Sequence, residues 1–311
     1  MKARKIISSV FLLVFGFATA FGLAEGMLRT FFANQFMIAE NHMTLKYRWD
    51  SQLGWAPKEN SSYEFSAGSK SITVSHNSRG FRDKEHVKGE KESVVILGDS
   101  FVWGYDVDVN ERFTEKLRLL MPEWDVYNLG VSGYGTDQEF LLLLKNFDFY
   151  RPKIVFLIYC SDNDDSNNSS NSIDSGRFYK PYFDVLNHAK MVNGVPVPKS
   201  LNYYGQQYPR LTRSYVVRLI VKALSPPPIK VASPTMEIFR QMNRFVSERG
   251  CKLLVALTSS SPGMESFFRD EGIPHLQLDG AEKFPSHGRH WTPDGHSEVS
   301  KRIYNFIQTK G

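Results

Sequence analysis

The chain has 311 residues, 41% hydrophobic and 23% charged, close to globular averages, which excludes wholesale disorder, a collagen-like fibre and a polytopic membrane protein. Lys plus Arg exceed Asp plus Glu by 38 to 33, or +5, and three of those cations (Lys2, Arg4, Lys5) sit at the extreme N-terminus. The remaining excess of about +2 gives no electrostatic case for a nucleic-acid partner.

Lys2-Ala-Arg-Lys5 precedes an uncharged run from Ile6 to Ala24. At about 1.5 Å rise per residue the run approaches the thickness of a bilayer core. The basic flank is the side that stays in the cytoplasm, so everything after it is sent outside. Small residues at Ala18-Thr-Ala20 and Gly22-Leu-Ala24 also suit cleavage. Residues 1–24 are therefore expected as a transmembrane anchor or a signal peptide; both export the remainder.

Residues 25–92 lack long helical periodicity. Leu53-Gly-Trp55, the alternating Ser71-Ile-Thr-Val-Ser75 and the turn in Asn77-Ser-Arg-Gly-Phe-Arg82 predict a β-rich extension covering one edge of the domain that begins near Ser93. From Ser93 short apolar runs alternate with helix-period segments. Strands are predicted at Ser93–Leu97, Asp125–Asn128, Ile154–Tyr159, Leu253–Leu257 and His275–Leu278. Helices are predicted at Arg112–Leu120, Asp137–Phe149, Met236–Arg249 and Met264–Glu271, with a last one from Asp294 towards Ile307. The pattern predicts an α/β chain: a three-layer α/β/α sandwich on a flavodoxin-like five-stranded parallel sheet, over residues 93–311. An insertion at about 165–232 separates the third and fourth strands, and a helix is predicted within it at Ser214–Leu224, because structureless loops of that length are uncommon. Cys160 ends one strand and Cys251 starts another, so the two thiols are expected unpaired at opposite edges of the sheet.

In an open parallel sheet, ligands bind outside the carboxyl ends of the strands. The first strand is followed by Gly98-Asp-Ser100, the second by Leu129-Gly-Val-Ser-Gly133, the third by Asn163-Asp164, and the fifth, after a loop, by His287-Gly-Arg-His290-Trp-Thr-Pro-Asp-Gly-His296. A serine, a glycine turn, an asparagine and histidines thus converge on one rim. They are a hydroxyl nucleophile, oxyanion donors and a base, the parts of acyl transfer.

Gly98-Asp-Ser100, Asn128-Leu-Gly-Val-Ser-Gly133, Asn163-Asp164 and His290-Trp-Thr-Pro-Asp-Gly-His296 resemble, in order, the four sequence blocks of the SGNH (GDSL-type) hydrolase superfamily. The resemblance runs from about Ser93 to the C-terminus. The apolar N-terminus, Leu53-Gly-Trp55 and Asn77-Ser-Arg-Gly-Phe-Arg82 are similar to the membrane-anchored bacterial members. The resemblance implies Ser100 as nucleophile and His290 as general base. It implies an oxyanion hole from the Ser100 and Gly133 backbone N–H groups and the Asn163 amide. It also implies a location at the inner (cytoplasmic) membrane, single-pass, with the soluble part periplasmic or extracellular, or secretion after signal cleavage.

The roles are chemically apt. A serine hydroxyl needs a base to take its proton, histidine titrates near neutrality, and glycine lets a backbone N–H approach developing charge. One element departs from the family pattern. Members usually carry an aspartate two or three residues before the histidine, where this chain has Gly288 and His287. Asp279 or Asp294 replaces it, or a backbone carbonyl orients His290, or the site is a Ser-His dyad, or hydrolysis is impaired. Asp294 also suits capping of the last helix. Asp106 stands where anchored members often have glycine.

His290 is preferred to His296 as base, because His-Trp-Thr-Pro-x-Gly-His matches the family block with its first histidine catalytic. His287, His290 and His296 lack the companions of a metal site, and no metal or other cofactor is expected. Asp162–Asn167 lacks the glycine and glutamate of a calcium loop, and Val102 breaks the Gly-x-Ser-x-Gly elbow of the α/β-hydrolases. The reading is a serine esterase hydrolysing an acyl or acetyl oxygen ester on an envelope glycan or lipid, with Trp103, Tyr134 and Trp291 near the rim. The alternatives are an O-acyltransferase acting on a glycan and a catalytically impaired glycan-binding SGNH domain.

Overall fold

The computed structural model describes residues 2–36, 38, 47–67, 70–173, 178–184, 190–191, 197–285 and 289–311. Helix α1 (Lys2–Phe31) is followed by a 3-10 turn at Ala33–Phe36. Its Arg4–Phe31 stretch is long and apolar enough to cross a membrane, and its side chains are almost all exposed. Strand β1 (Tyr47–Asp50) pairs antiparallel with β2 (Gly54–Pro57), and β3 (Ser62–Ala67) with β4 (Lys70–Ser75).

The sandwich comes next: β5 (Ser93–Gly98), α2 (Ser100–Trp103), α3 (Phe113–Leu120), β6 (Asp125–Asn128), α4 (Thr136–Tyr150), β7 (Ile154–Tyr159) and α5 (Asp164–Asn168). The segment before the fourth core strand holds β8 (Ser172–Ile173), β9 (Phe178–Tyr179), β10 (Phe183–Asp184), β11 (Lys190–Met191), α6 (Leu201–Gln207) and α7 (Tyr215–Leu224). The chain closes with α8 (Thr235–Ser247), β12 (Lys252–Leu257), α9 (Pro262–Asp270), β13 (His275–Gln277) and α10 (Pro293–Lys310).

The sheet order is β13-β12-β7-β5-β6, every pair parallel. This is the doubly wound arrangement expected from the sequence, with the order reversing between β5 and β7. The central runs are apolar throughout because both faces are covered. Val94, Ile96, Phe156 and Ile158 point to the side of α3 and α10, whereas Val95, Leu97, Val155 and Leu157 point to the side of α4, α8 and α9. Alternation of side chains along each strand divides one continuous run between two cores.

The hairpins lie on the carboxyl rim rather than only along an edge. Tyr47 Oη donates to Ser132 O (3.1 Å), Gln138 Nε2 to Leu53 O (2.7 Å) and Tyr134 Oη to Trp55 O (2.6 Å). Phe65, Ile72 and Val74 join the core on the α4 side. The run after β4 does track an edge, since Tyr127 of β6 donates to Val87 O. Cys160 and Cys251 are free and buried, at opposite ends of the adjacent strands β7 and β12.

Candidate active site

Ser100 sits where β5 turns into α2. Gly98 has φ 155°, and a Cβ there would lie 2.3 Å from Val102 Cγ2, so a side chain would push the helix off the strand end. Asp99 caps α2 by accepting from Phe101 N at 3.0 Å. Ser100 is thereby fixed on the first helical turn, half-buried at the rim.

The imidazole of His290 reaches it from the far end of the chain. Ser100 Oγ lies 2.8 Å from His290 Nε2, and His290 Nδ1 lies 2.7 Å from Asp106 Oδ2. A carboxylate only accepts, so Nδ1 carries the proton and Nε2 presents its lone pair to the serine hydroxyl. The Asp106 and His290 side chains are only 9% and 10% exposed, so solvent competes weakly for either bond. The Tyr105 ring stacks on the imidazole at 4.8 Å and Phe101 meets it edge-on at 5.1 Å. The next residue, Trp291, is fully buried against Phe101 and Phe113 and anchors the histidine's backbone.

Asp279 and Asp294 do not supply the orienting carboxylate. Both are exposed, Asp279 after β13 and Asp294 on the first turn of α10, whereas the imidazole is buried. The capping role weighed for Asp294 falls to Thr292, which accepts from Gly295 N. Asp106 holds the place instead, and the sequence reading missed it. The available signal was a carboxylate standing where the anchored members that the sequence resembles often have glycine.

The loop carrying Asp106 is held from below. The buried Arg82 guanidinium donates to the carbonyls of Trp103 (3.2 Å), Gly104 and Val107 (2.8 Å). Arg112, also buried, donates to the carbonyls of Trp103 and Arg82. The segment Asn77-Ser-Arg-Gly-Phe-Arg82 thus fixes the backbone on both sides of Asp106. The neighbouring Asp83 accepts from Arg118 (2.6 Å), from Asn128 N (2.9 Å) and, at 2.7 Å, pairs with His86. Burial alone would raise the Asp83 carboxyl, but His86, Arg118 and Arg112 overcome it and hold it well below the usual range.

The three oxyanion donors named from sequence belong to the same rim. The Gly133 turn, with φ 85°, is pinned to α2 through Asn128, whose Nδ2 donates to Val102 O (2.8 Å) and Thr114 Oγ1 (3.0 Å) and whose Oδ1 accepts from Gly130 N (2.9 Å). Val131 N donates to Gly98 O at 3.0 Å, directly tying this turn to the strand that leads into Ser100. Asn163 Nδ2 donates to Asp99 Oδ2 at 3.3 Å. An amide nitrogen has two hydrogens, so this bond aims the group and leaves one hydrogen over.

Behind Asn163 is a buried acidic layer. Asp99, Asp137, Glu139 and Asp164 are all 0% exposed, and Lys180 pairs with Asp137. Neither oxygen of Glu139 has a hydrogen-bond partner among the described residues. Burial first, then the neighbouring carboxylates, push Glu139 and Asp164 well above the usual carboxyl range; burial also raises Asp99. Glu139 and Asp164 are thus shifted toward the neutral acid, which lessens the negative charge packed behind Asn163.

His296 is buried on α10, where its Nδ1 accepts from Phe113 N at 3.2 Å. Burial, with Arg112 second, lowers it to about 3, so it is neutral and packs the helix. His287 lies outside the described residues, and among those described no three His, Cys, Asp or Glu side chains gather as metal ligands do. The aromatics expected near the rim are core instead: Trp103, Tyr134 and Trp291 are each 0% exposed, because their rings fill the space behind the loops. They offer no sugar platform.

No protein-family model matches the chain, and no curated protein matches it. Solved structures do. The crystal structure of TesA is similar at a TM-score of 0.42, with 9% identity, over 70% of this chain and 99% of that one. A member of the lipolytic protein G-D-S-L family from Veillonella parvula DSM 2008 is similar at 0.39, with 10% identity, over 71% and 100%. Est24, a carbohydrate acetylesterase from Sinorhizobium meliloti, is similar at 0.41, with 10% identity, over 70% and 99%. These are distant likenesses. In sheet order and in the placement of its four blocks on one rim, the chain resembles the SGNH hydrolases.

Proposed function

We propose that the protein is a serine ester hydrolase with Ser100 as nucleophile, His290 as general base and Asp106 as the orienting acid. The observation that supports this most is the chain of contacts Asp106–His290–Ser100, at 2.7 and 2.8 Å, between residues 184 and 190 positions apart. His290 Nε2 takes the hydroxyl proton as Ser100 Oγ attacks the ester carbonyl carbon. The carbonyl oxygen becomes an oxyanion facing the N–H groups of Ser100 and Gly133 and the Asn163 amide. Collapse breaks the ester C–O bond, and the alcohol leaves with the proton from His290. Water repeats the sequence on the acyl-serine and frees the acid.

The substrate is an oxygen ester on an envelope glycan or lipid, and α1 holds the domain to the outer face of the inner membrane. The length, exposure and basic N-terminal flank of α1 support that placement. The supply of a carboxylate by Asp106 removes the motive for a catalytically impaired domain. Hydrolysis of p-nitrophenyl acetate by the full chain, beside Ser100→Ala, tests the chemistry, and equal rates would overturn it. Turnover that appears only when a glycan acceptor is added would reassign the same acyl-serine to transfer.

A further inference from the structure

Helix α7 is tied to the end of α1. The Glu25 carboxylate, the first charge after the apolar run, accepts from Ser214 Oγ (2.9 Å), Tyr215 N (2.9 Å) and Val216 N (3.0 Å). Arg29 pairs with Glu25 (2.7 Å), donates to Arg213 O (2.6 Å) and lies over the Tyr215 ring at 4.9 Å. Further along α7, Arg218 donates to Phe36 O and Lys222 to Gln35 O, each at 3.1 Å. A segment nearly 190 positions away thus caps its helix with a carboxylate from the anchor.

No residue of α7 is buried, although eight of its ten are Tyr, Val, Leu, Ile or Ala. Leu219, Ile220 and Leu224 are 41%, 52% and 81% exposed, with Leu211 at 62% beside them. Residues 185–236 contain seven Lys or Arg and no Asp or Glu. An apolar helix left uncovered, within a stretch of one charge sign, next to the exit of a membrane helix, has the composition of an interfacial helix.

We propose that α7 rests on the outer-facing leaflet of the bilayer that α1 spans, with Ile220 and Leu224 entering it and the exposed Arg210 and Lys230 on anionic headgroups. The proposal rests on the anchor reading under Proposed function. It gives the insertion the role of seating the domain on the membrane, in addition to the single tether.

The test uses the full chain in phosphatidylcholine vesicles with and without phosphatidylglycerol, with nitroxide-bearing lipid as quencher. Phe15→Cys, Leu119→Cys, Ile220→Cys and Leu224→Cys each carry an environment-sensitive fluorophore. The native thiols, 2% and 9% exposed, give little background. Quenching at 15, 220 and 224 is expected, with none at 119, an exposed position on α3. Phosphatidylglycerol should deepen it at 220 and 224. Arg210→Gln with Lys230→Gln should lower the docked-to-free ratio there by on the order of tenfold. Quenching at 15 but not at 220 and 224 overturns the seat and leaves the anchor. No quenching at 15 overturns both. Indifference to phosphatidylglycerol and to the two glutamines overturns the anionic surface as the partner.

Discussion

Asp106→Asn is the sharpest perturbation of the site. Asparagine matches the aspartate in size but carries no charge and has an N–H₂ to donate. Two effects arise at the 2.7 Å contact with Nδ1. The imidazolium that forms as Ser100 loses its proton has no counter-charge. With charge centres about 4 Å apart and an effective dielectric near 20, that charge is worth about 4 kcal/mol, or about three decades in rate. The amide can also donate to Nδ1, which moves the imidazole proton to Nε2 and removes the acceptor that Ser100 needs. Loss of the equivalent group in the serine proteases costs about 10⁴ in kcat. The expected fall for Asp106→Asn is therefore about 10³- to 10⁴-fold in kcat on p-nitrophenyl acetate, with KM little changed. Ser100→Ala sets the zero line and circular dichroism checks the fold. A variant within a few-fold of the natural chain would refute the reasoning. So would a larger loss for Asp279→Asn or Asp294→Asn, both of which should be silent.

Arg82→Met frees the carbonyls on both sides of Asp106 and should cost about 100-fold in kcat through misplacement. The effect should be largely absent in an Asp106→Asn background, and additive losses in the double variant would show that Arg82 acts elsewhere. Asp83→Ala leaves Arg118 and Arg112 facing no buried carboxylate and should lower urea-unfolding stability by about 3–5 kcal/mol; a loss under 1 kcal/mol would contradict the buried network. His296 is held neutral down to about pH 3, so its contribution is fully present above about pH 6.5 and is lost as pH falls toward 3. His296→Asn should flatten the acid limb of a stability–pH curve by about 1.4 kcal/mol per pH unit in that window. Glu139 has the opposite sign: its raised carboxyl favours the folded state below about pH 4.3, and that advantage declines as pH rises. Glu139→Gln should therefore gain stability over the natural chain as pH increases, and parallel curves would show that the buried acid does not titrate as its surroundings require.

The core strands were legible because each is a short apolar run covered on both sides, and β6 and β7 fall on the predicted residues. Helix α7 begins one residue after its predicted start because Ser214 serves as the cap. The short α5, and α6 and the two-residue strands of the insertion, carry too little periodicity to be seen. Ser100, Gly133, Asn163 and His290 were each named from the loop after a strand, and the parallel sheet delivers those loops to one rim. Ser100 lies against His290, whereas His296 is turned to the backbone of Phe113.

Local pattern fixes the order of strands and helices, the apolar N-terminal helix and the side of the sheet where polar loops gather. Those properties depend on residues a few positions apart. Which carboxylate faces His290, which tryptophans are buried, and what Arg82 and Glu25 hold depend on residues from 21 to 191 positions apart. Only packing brings such groups together, and exposed Asp279 and Asp294 look no different in sequence from buried Asp106 until the chain has folded around it.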